Sequence, residues 1–122
     1  RSNTKKENTM RTLNDYFITG VIPNVSAGSS TFVAVPDGGN IIKIITHNAV
    51  VTTGTAAISF EIGGVVITGG GFSHAATGSA NRVTSTFPTA LNRVEEDGTI
   101  ELITNGGSTN TSAMAVTFVI RR

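Results

Sequence analysis

The sequence lacks cysteine and tryptophan and contains a single tyrosine. Without cysteine the chain has no disulfides, zinc–thiolate sites or iron–sulfur clusters. Charged residues make up only 14% of the chain, against about 25% in typical globular domains. No run approaches the roughly 18 apolar residues of a membrane helix, so we expect no membrane partner. The chain must therefore fold on its hydrophobic residues, which make up 39% of it.

The chain length and the distribution of charge predict one domain with a short basic arm. A chain of 122 residues has room for one domain of ordinary size. Residues 1–13 carry four basic groups against Glu7, a net charge of +3, whereas residues 14–122 carry five basic and seven acidic groups, a net charge of −2. We expect residues 1–13 to be disordered in isolation, because they are polar and lack periodicity. The arm has too little charge and too few aromatics to indicate a nucleic-acid partner.

Alternating apolar and polar residues predict strands along most of residues 14–122. The clearest case is the last segment, where Met114, Val116, Phe118 and Ile120 share one face. Its other face is also fairly apolar, which favours a position in the middle of a sheet. We predict eight strands, near residues 15–22, 31–35, 41–51, 56–62, 65–68, 82–86, 99–104 and 112–120.

Turn residues separate these segments and indicate how the strands are connected. Gly63-Gly64 is a two-residue hairpin signal between apolar runs. Pro36-Asp37-Gly38-Gly39 and Asp97-Gly98 are typical of tight turns. Eight short strands with turns every 8–12 residues predict an antiparallel β-sandwich of jelly-roll type. Residues 69–80 read as a loop with a ragged strand, and a short helical turn is an option near residues 89–93.

Residues of the types that carry chemistry are few and isolated. His47 and His74 are the only histidines, and neither has an evident metal or catalytic partner, so we interpret both as structural. Ser79 lacks the G-x-S-x-G context of a hydrolase nucleophile. The sequence therefore assigns no catalytic residue, no cofactor and no metal, and we expect a protein that is not an enzyme.

Carboxylates occur in two arrangements with plain structural interpretations. Glu95, Glu96 and Asp97 precede a glycine and are typical of a solvated turn, with calcium binding as the alternative. Glu61 and Glu101 lie on predicted strands and are interpreted as outward residues that share one sheet surface, although a glycosidase would also need two facing carboxylates.

Two aromatic residues mark the junction between the arm and the domain. Because neighbouring residues of a strand point to opposite faces, Tyr16 and Phe17 cannot both be buried. We interpret Phe17 as the residue that anchors the first strand in the core. Tyr16 is then expected on the opposite face, where it would contact a partner.

From residue 13 onward the chain resembles a family of small virion proteins, the capsid cement or decoration proteins of tailed bacteriophages. No single motif is specific, and the resemblance depends on an ordered series of turns flanked by β-branched residues. The similar segments are residues 13–17, 35–39, 62–70, 78–80, 87–90, 94–98, 105–109 and 120–122.

This resemblance implies a jelly-roll-like structural protein on the outer capsid surface of the virion, after assembly in the host cytoplasm. Its expected partners are the major capsid protein and neighbouring copies of itself, as a dimer or trimer. It implies no catalytic residues and no cofactor. The alternative is a receptor- or glycan-binding module of a phage fibre or spike. The candidate interface residues are Arg1, Lys5, Lys6, Arg11, Tyr16 and Phe17.

Overall fold

A computed structural model describes residues 14–52, 55–73 and 80–122. These residues form ten strands and no helix, so the described chain contains no helix long and apolar enough to cross a membrane. The predicted arm, with Arg1, Lys5, Lys6 and Arg11, lies outside the described residues, as do His74 and Ser79. The strands are β1 (Asp15–Ile22), β2 (Ser29–Ala34), β3 (Gly39–Asn48), β4 (Ala57–Ile62), β5 (Val65–Val66), β6 (Phe72–Ser73), β7 (Arg82–Thr86), β8 (Arg93–Val94), β9 (Thr99–Thr104) and β10 (Met114–Arg121).

The strands form two antiparallel sheets with the connectivity of a jelly roll. Sheet A has the order β1-β10-β3-β7, with β8 also paired to β3, and sheet B has the order β2-β9-β4-β5, with β6 also paired to β4. With β6 and β8 left out, β1 pairs with β10, β2 with β9, β3 with β7 and β4 with β5. This is one long antiparallel ribbon rolled into two sheets. The predicted β-sandwich of jelly-roll type is confirmed.

The ribbon turns back on itself at Gly63-Gly64, as the sequence predicts. Ile62 pairs with Val65 across the turn, and the two glycines have φ values of 60° and 81°. Two consecutive positive φ values define a type I′ turn, whose twist matches that of the flanking strands. The innermost hairpin of the jelly roll is therefore encoded locally.

The core lies between the two sheets and is formed by inward-facing residues of both. Phe60 of sheet B meets Phe118 of sheet A edge to face, with ring centroids 5.4 Å apart and an interplanar angle of 87°. Both rings are fully buried. As predicted, β10 is an inner strand whose residues Met114, Val116, Phe118 and Ile120 are all buried.

A β-bulge in β3 changes which of its residues face the core. The pairing of β10 with β3 moves from Val119 opposite Lys43 to Ile120 opposite Ile41, so Ile42 has no partner on β10. Strict alternation would place Ile41 and Lys43 on the same face. The extra residue instead buries Ile44 together with Ile41. As a result Lys43 and His47 lie on the outer surface of sheet A.

One short segment differs from the sequence-based expectation, and one short strand lies where a ragged strand was expected. Residues 89–93 form no helical turn, because Ala90 makes an isolated bridge with Thr68 and Arg93 begins β8. Within the predicted loop, Phe72 and Ser73 form β6 by pairing with β4. These two-residue strands explain why the described chain has ten strands where eight were predicted.

Gly20 is the point at which the edge strand of sheet A approaches sheet B. A methyl group at this position would overlap Cγ2 of Val33 and lie 3.2 Å from Cδ2 of Leu102. We expect Gly20→Ala to lower the free energy of unfolding by about 1–3 kcal/mol through overpacking, measured by urea denaturation.

Val33→Ala is the matched test of that explanation, because it removes the overlapping methyl group. In the double variant the added methyl fits, so its loss of stability should be smaller than the sum of the two single losses. A Gly20→Ala protein as stable as the wild type would contradict the close approach of the two sheets.

Candidate protein–protein interface

The outer surface of sheet A, called here the outer A face, is formed by alternate residues of four strands. The register of β1, β10, β3 and β7 places these residues in three rows across the sheet. The first row is Phe17, Val119, Lys43 and then Phe87, which follows β7; the second is Thr19, Thr117, Ile45 and Ser85; the third is Val21, Ala115, His47 and Val83.

Four large apolar side chains at the corners of this face are exposed to solvent. Their exposed fractions are 69% for Phe17, 52% for Val21, 60% for Val83 and 62% for Phe87. Antiparallel sheets that face water normally alternate apolar residues inward with polar residues outward. Val119, Ile45 and Ala115 lie between these corners together with polar residues, and exposed apolar surface is a feature of protein–protein contact sites.

Ionisable groups on the outer A face lie in its end rows. Lys43 Nζ lies 5.8 Å from the centroid of the Phe87 ring, a cation–π contact. His47 occupies the opposite end row, between Ala115 and Val83. The middle row contains hydroxyl and aliphatic side chains alone, and none of the three rows contains a carboxylate. The centre of the face is therefore uncharged.

An ion pair lies beside the first row, where β1 begins. Arg121 donates two hydrogen bonds to the Asp15 carboxylate, each 3.0 Å long. These hydrogen bonds hold the pKa of Asp15 below its ordinary value and raise that of Arg121. Because both side chains reach solvent, the pair fixes the start of β1 without adding much stability.

The structure reverses the faces predicted for Tyr16 and Phe17. Tyr16 pairs with the buried Ile120 and packs against the core, whereas Phe17 pairs with Val119 and points outward. The Tyr16 hydroxyl donates a hydrogen bond to the backbone carbonyl of Asp37, and burial raises its pKa. Sequence alternation separates the two residues correctly but does not indicate which one is inside. Phe17 is thus the exposed aromatic, and Tyr16 is the structural anchor.

Tyr16 also connects the two ends of the domain. The guanidinium carbon of Arg122 lies 5.5 Å from the centroid of the Tyr16 ring, and Arg122 Nη1 lies 3.0 Å from Oδ2 of Asp37. The three side chains join the start of β1, the turn after β2 and the last residue of the chain. This contact explains why Tyr16 is half-buried although it lies on an edge strand.

The outer surface of sheet B, called here the outer B face, has a different character. Glu61 pairs directly with Glu101, so the two carboxylates share one sheet surface, as predicted. Phe32 is 64% exposed beside Glu101 and Val66 is 50% exposed beside Glu61. Glycosidases use two carboxylates that face each other across a cleft. The two glutamates of this chain instead lie side by side on an open sheet surface.

The remaining candidates from the sequence do not gather into a site. Residues Glu95 to Gly98 form a turn in which Gly98 N–H donates to the Glu95 carbonyl at 2.9 Å and Asp97 has a φ of 62°. Among the described residues, no three His, Cys, Asp or Glu side chains come close enough to hold a metal ion. A shallow groove of about 260 Å³ is lined by Ile62, Val65, Leu91 and Arg93 and is mostly apolar.

Known proteins are similar to this chain in fold and not in sequence. No protein-family model matches the chain, and no curated protein matches it in sequence. A chain from the capsid asymmetric unit of cyanophage Pam1 is 11% identical with a TM-score of 0.54, over 88% of this chain and 85% of that one. A chain from the acid-stable capsid of Helicobacter pylori bacteriophage KHP30 is 12% identical with a TM-score of 0.51, over 87% and 86%. A chain from the complex of the Aeromonas sobria serine protease with its chaperone is 7% identical with a TM-score of 0.50, over 89% and 27%.

Sequence reasoning named Phe17 among the interface candidates but placed it in the core, and it missed Val21, Val83 and Phe87. Each of these residues has a polar residue two positions away on the same side of the sheet. Ser85, for example, lies between Val83 and Phe87. This pattern predicts that the three share a face with polar residues. It does not reveal that the faces of four strands adjoin, because that depends on the pairing of strands distant in sequence.

Substitutions at the first two aromatic positions test the reversed assignment. Tyr16→Phe removes a hydroxyl that donates to a backbone carbonyl, so we expect it to lower the free energy of unfolding by about 1 kcal/mol. Phe17→Thr replaces an exposed aromatic residue by a β-branched one, which strands also favour, so its effect should stay within about 0.5 kcal/mol. Urea denaturation in dilute protein gives both values, and a larger loss for Phe17→Thr would restore the opposite assignment.

Proposed function

We propose that this chain is a structural virion protein of a tailed bacteriophage, a capsid cement or decoration protein. It binds the outside of an icosahedral head and stabilises the shell against the pressure of the packaged genome. Its partners are the major capsid protein and other copies of itself. It acts by fitting one surface to another, with no catalysis and no cofactor.

The observation that carries this proposal is the exposed apolar outer A face. Fully burying one large apolar side chain contributes about 1.5–3 kcal/mol, and this face has four that remain largely in water. A surface of this composition is stabilised by contact with another chain, either a capsid subunit or a second copy of this protein. Together with a jelly-roll domain that gathers no metal-binding group among its described residues, it favours a binding role.

The two similar capsid chains support the location in a virion. Both match this chain over more than four fifths of each chain's length, at TM-scores of 0.54 and 0.51. Both chains come from phage capsids, which agrees with the series of turns that resembles the cement family. The role on the outer surface is inferred from these two lines of support together.

Many modest contacts suit a protein that holds a shell together. Internal pressure pulls apart capsid subunits that meet at symmetric seams, and a protein bound across a seam must release several subunits before they separate. Once the first contact forms, the others act at high effective concentration. The positively charged arm is attracted to any acidic surface nearby and adds one more weak contact. Because the contacts act together, each of them can be weak.

Particles assembled without the chain test the proposed role directly. We expect them to lose a regular external density in cryo-electron microscopy and to release DNA at a lower temperature than wild-type particles, because the seams lack a bridge. Adding back purified full-length chain should restore both. If instead the chain is found only in the tail or fibre, or binds a glycan array, the receptor-binding alternative is correct.

Deleting residues 1–12 tests the arm separately. The arm carries a net charge of +3, so its contact with an acidic surface should weaken as salt screens it. We expect the truncated chain to occupy fewer sites on the head and to give a smaller gain in heat resistance. Replacing Lys5 and Lys6 by glutamine is the matched control, because it keeps the length of the arm. Occupancy equal to that of the full chain at low salt would refute a tethering role.

A further inference from the structure

We propose that the outer A face is covered by the outer A face of a second copy, in a dimer with two-fold symmetry. This inference goes beyond the proposed function and does not depend on it, because the dimer is expected in free solution. It commits the apolar corners Phe17, Val21, Val83 and Phe87 to contacts between copies. Contacts with the shell are left to the rest of the surface.

The size of the face is sufficient for a specific dimer. Strands lie about 4.8 Å apart and rise about 3.3 Å per residue, so four strands over five residues outline an area of about 19 Å by 17 Å. Side chains standing on a pleated surface expose more area than this flat outline. Two such outlines together cover about 650 Å², and side-chain relief raises the area buried by two faces to the order of 1,000 Å², the lower limit for a specific interface.

The arrangement of the corners is self-complementary. A two-fold axis that runs along the strands, between β10 and β3, places Phe17 over Phe87 of the second copy and Val21 over its Val83. An axis across the strands places the row with Phe17 and Phe87 over the row with Val21 and Val83. Either axis brings apolar corners onto apolar corners, as an interface between identical surfaces requires.

Basic groups meet at the end rows of this pairing: Lys43 lies beside Lys43 of the second copy under the first axis and over its His47 under the second. The middle row, through which either axis passes, is uncharged. Lys43 and His47 lie in the end rows, where a lysine ammonium can extend to the solvent while its methylene groups remain in the interface. No carboxylate in the three rows would be buried without a partner.

Pairing of the outer A face with the outer B face is disfavoured by symmetry. Glu61 and Glu101 would attract Lys43 of another copy, but the two faces lie on opposite sides of the sandwich. If the outer A face of each copy binds the outer B face of the next, every added copy leaves another face free and a filament grows. Two copies joined through their outer A faces have no free outer A face left, so assembly stops at a dimer. The dimer then leaves both outer B faces exposed, each with its pair of glutamates.

The test uses the residue nearest the two-fold axis. Thr117 lies in the middle row on β10, so its counterpart in a second copy lies close across the interface. Sedimentation velocity of the full chain should give twice the mass of 12.6 kDa. Thr117→Asp and Thr117→Lys should each shift the protein to monomer, since like charges meet at the axis. Mixing the two variants should restore a dimer that contains one copy of each.

Ser59 provides the control, because it is half-buried on the outer B face. Ser59→Asp and Ser59→Lys should leave the dimer unchanged. If the Thr117 charge variants do not fold, Thr117→Cys replaces them: the chain has no cysteine, so a short bis-maleimide should link two copies through position 117 and not through Ser59→Cys.

The outcomes separate the dimer from the proposed function. A wild-type chain that is monomeric at tens of micromolar, a trimer, or Thr117 charge variants that still dimerise would overturn this inference. A monomer that binds heads would leave the cement role intact. A dimer that fails to bind heads would overturn the cement role and leave the dimer.

Discussion

The β-bulge in β3 determines what both surfaces of sheet A carry. Ile41 and Ile44 are buried together because Ile42 is inserted between paired positions of β3 and β10. If β3 instead alternated strictly through Ile42, with no bulge, the pattern set by Ile41 would direct Lys43 and His47 into an apolar core, where a charged group is costly. One inserted residue thus completes the core and places a cation on the outer A face. The composition of the candidate interface depends on this irregularity of the sheet.

Close approach of the two sheets depends on small residues and on contacts at the ends of strands. Gly20 lets β1 approach Val33 of β2, and the edge-to-face contact of Phe60 with Phe118 joins the centres of the two sheets. Tyr16 then ties the start of β1 to the turn at Asp37 and to the last residue of the chain. Because these contacts hold the edge strand from its inner side, its outer side is free to present Phe17. Structural and interface roles are therefore divided between adjacent residues.

Most of the fold could be predicted from the sequence, and most of the interface could not. Periodicity gave β1, β7 and β9 with their observed bounds, and Gly63-Gly64 gave the central hairpin, because these features depend on neighbouring residues. The two-residue strands β6 and β8 have too little length for a pattern. The reversal of Tyr16 and Phe17 has a different cause. Alternation shows that the two residues lie on opposite faces of β1, but which face is the inner one depends on the strand that β1 pairs with. That strand, β10, lies about a hundred residues away in the sequence. The bulge is likewise a property of the pairing of β3 with β10.

The proposed dimer and the proposed cement role support each other through geometry. Pairing the outer A faces would remove four largely exposed apolar side chains from water and leave two outer B faces directed away from each other, each with Phe32 beside Glu101. Each copy also contributes an N-terminal sequence with a net charge of +3, so the proposed dimer carries charges of both signs for weak contacts. Simultaneous contacts of this kind multiply their effect when one particle presents many equivalent sites. A symmetric shell is such a particle, and a two-fold dimer matches pairs of its sites with no further specialisation of the chain.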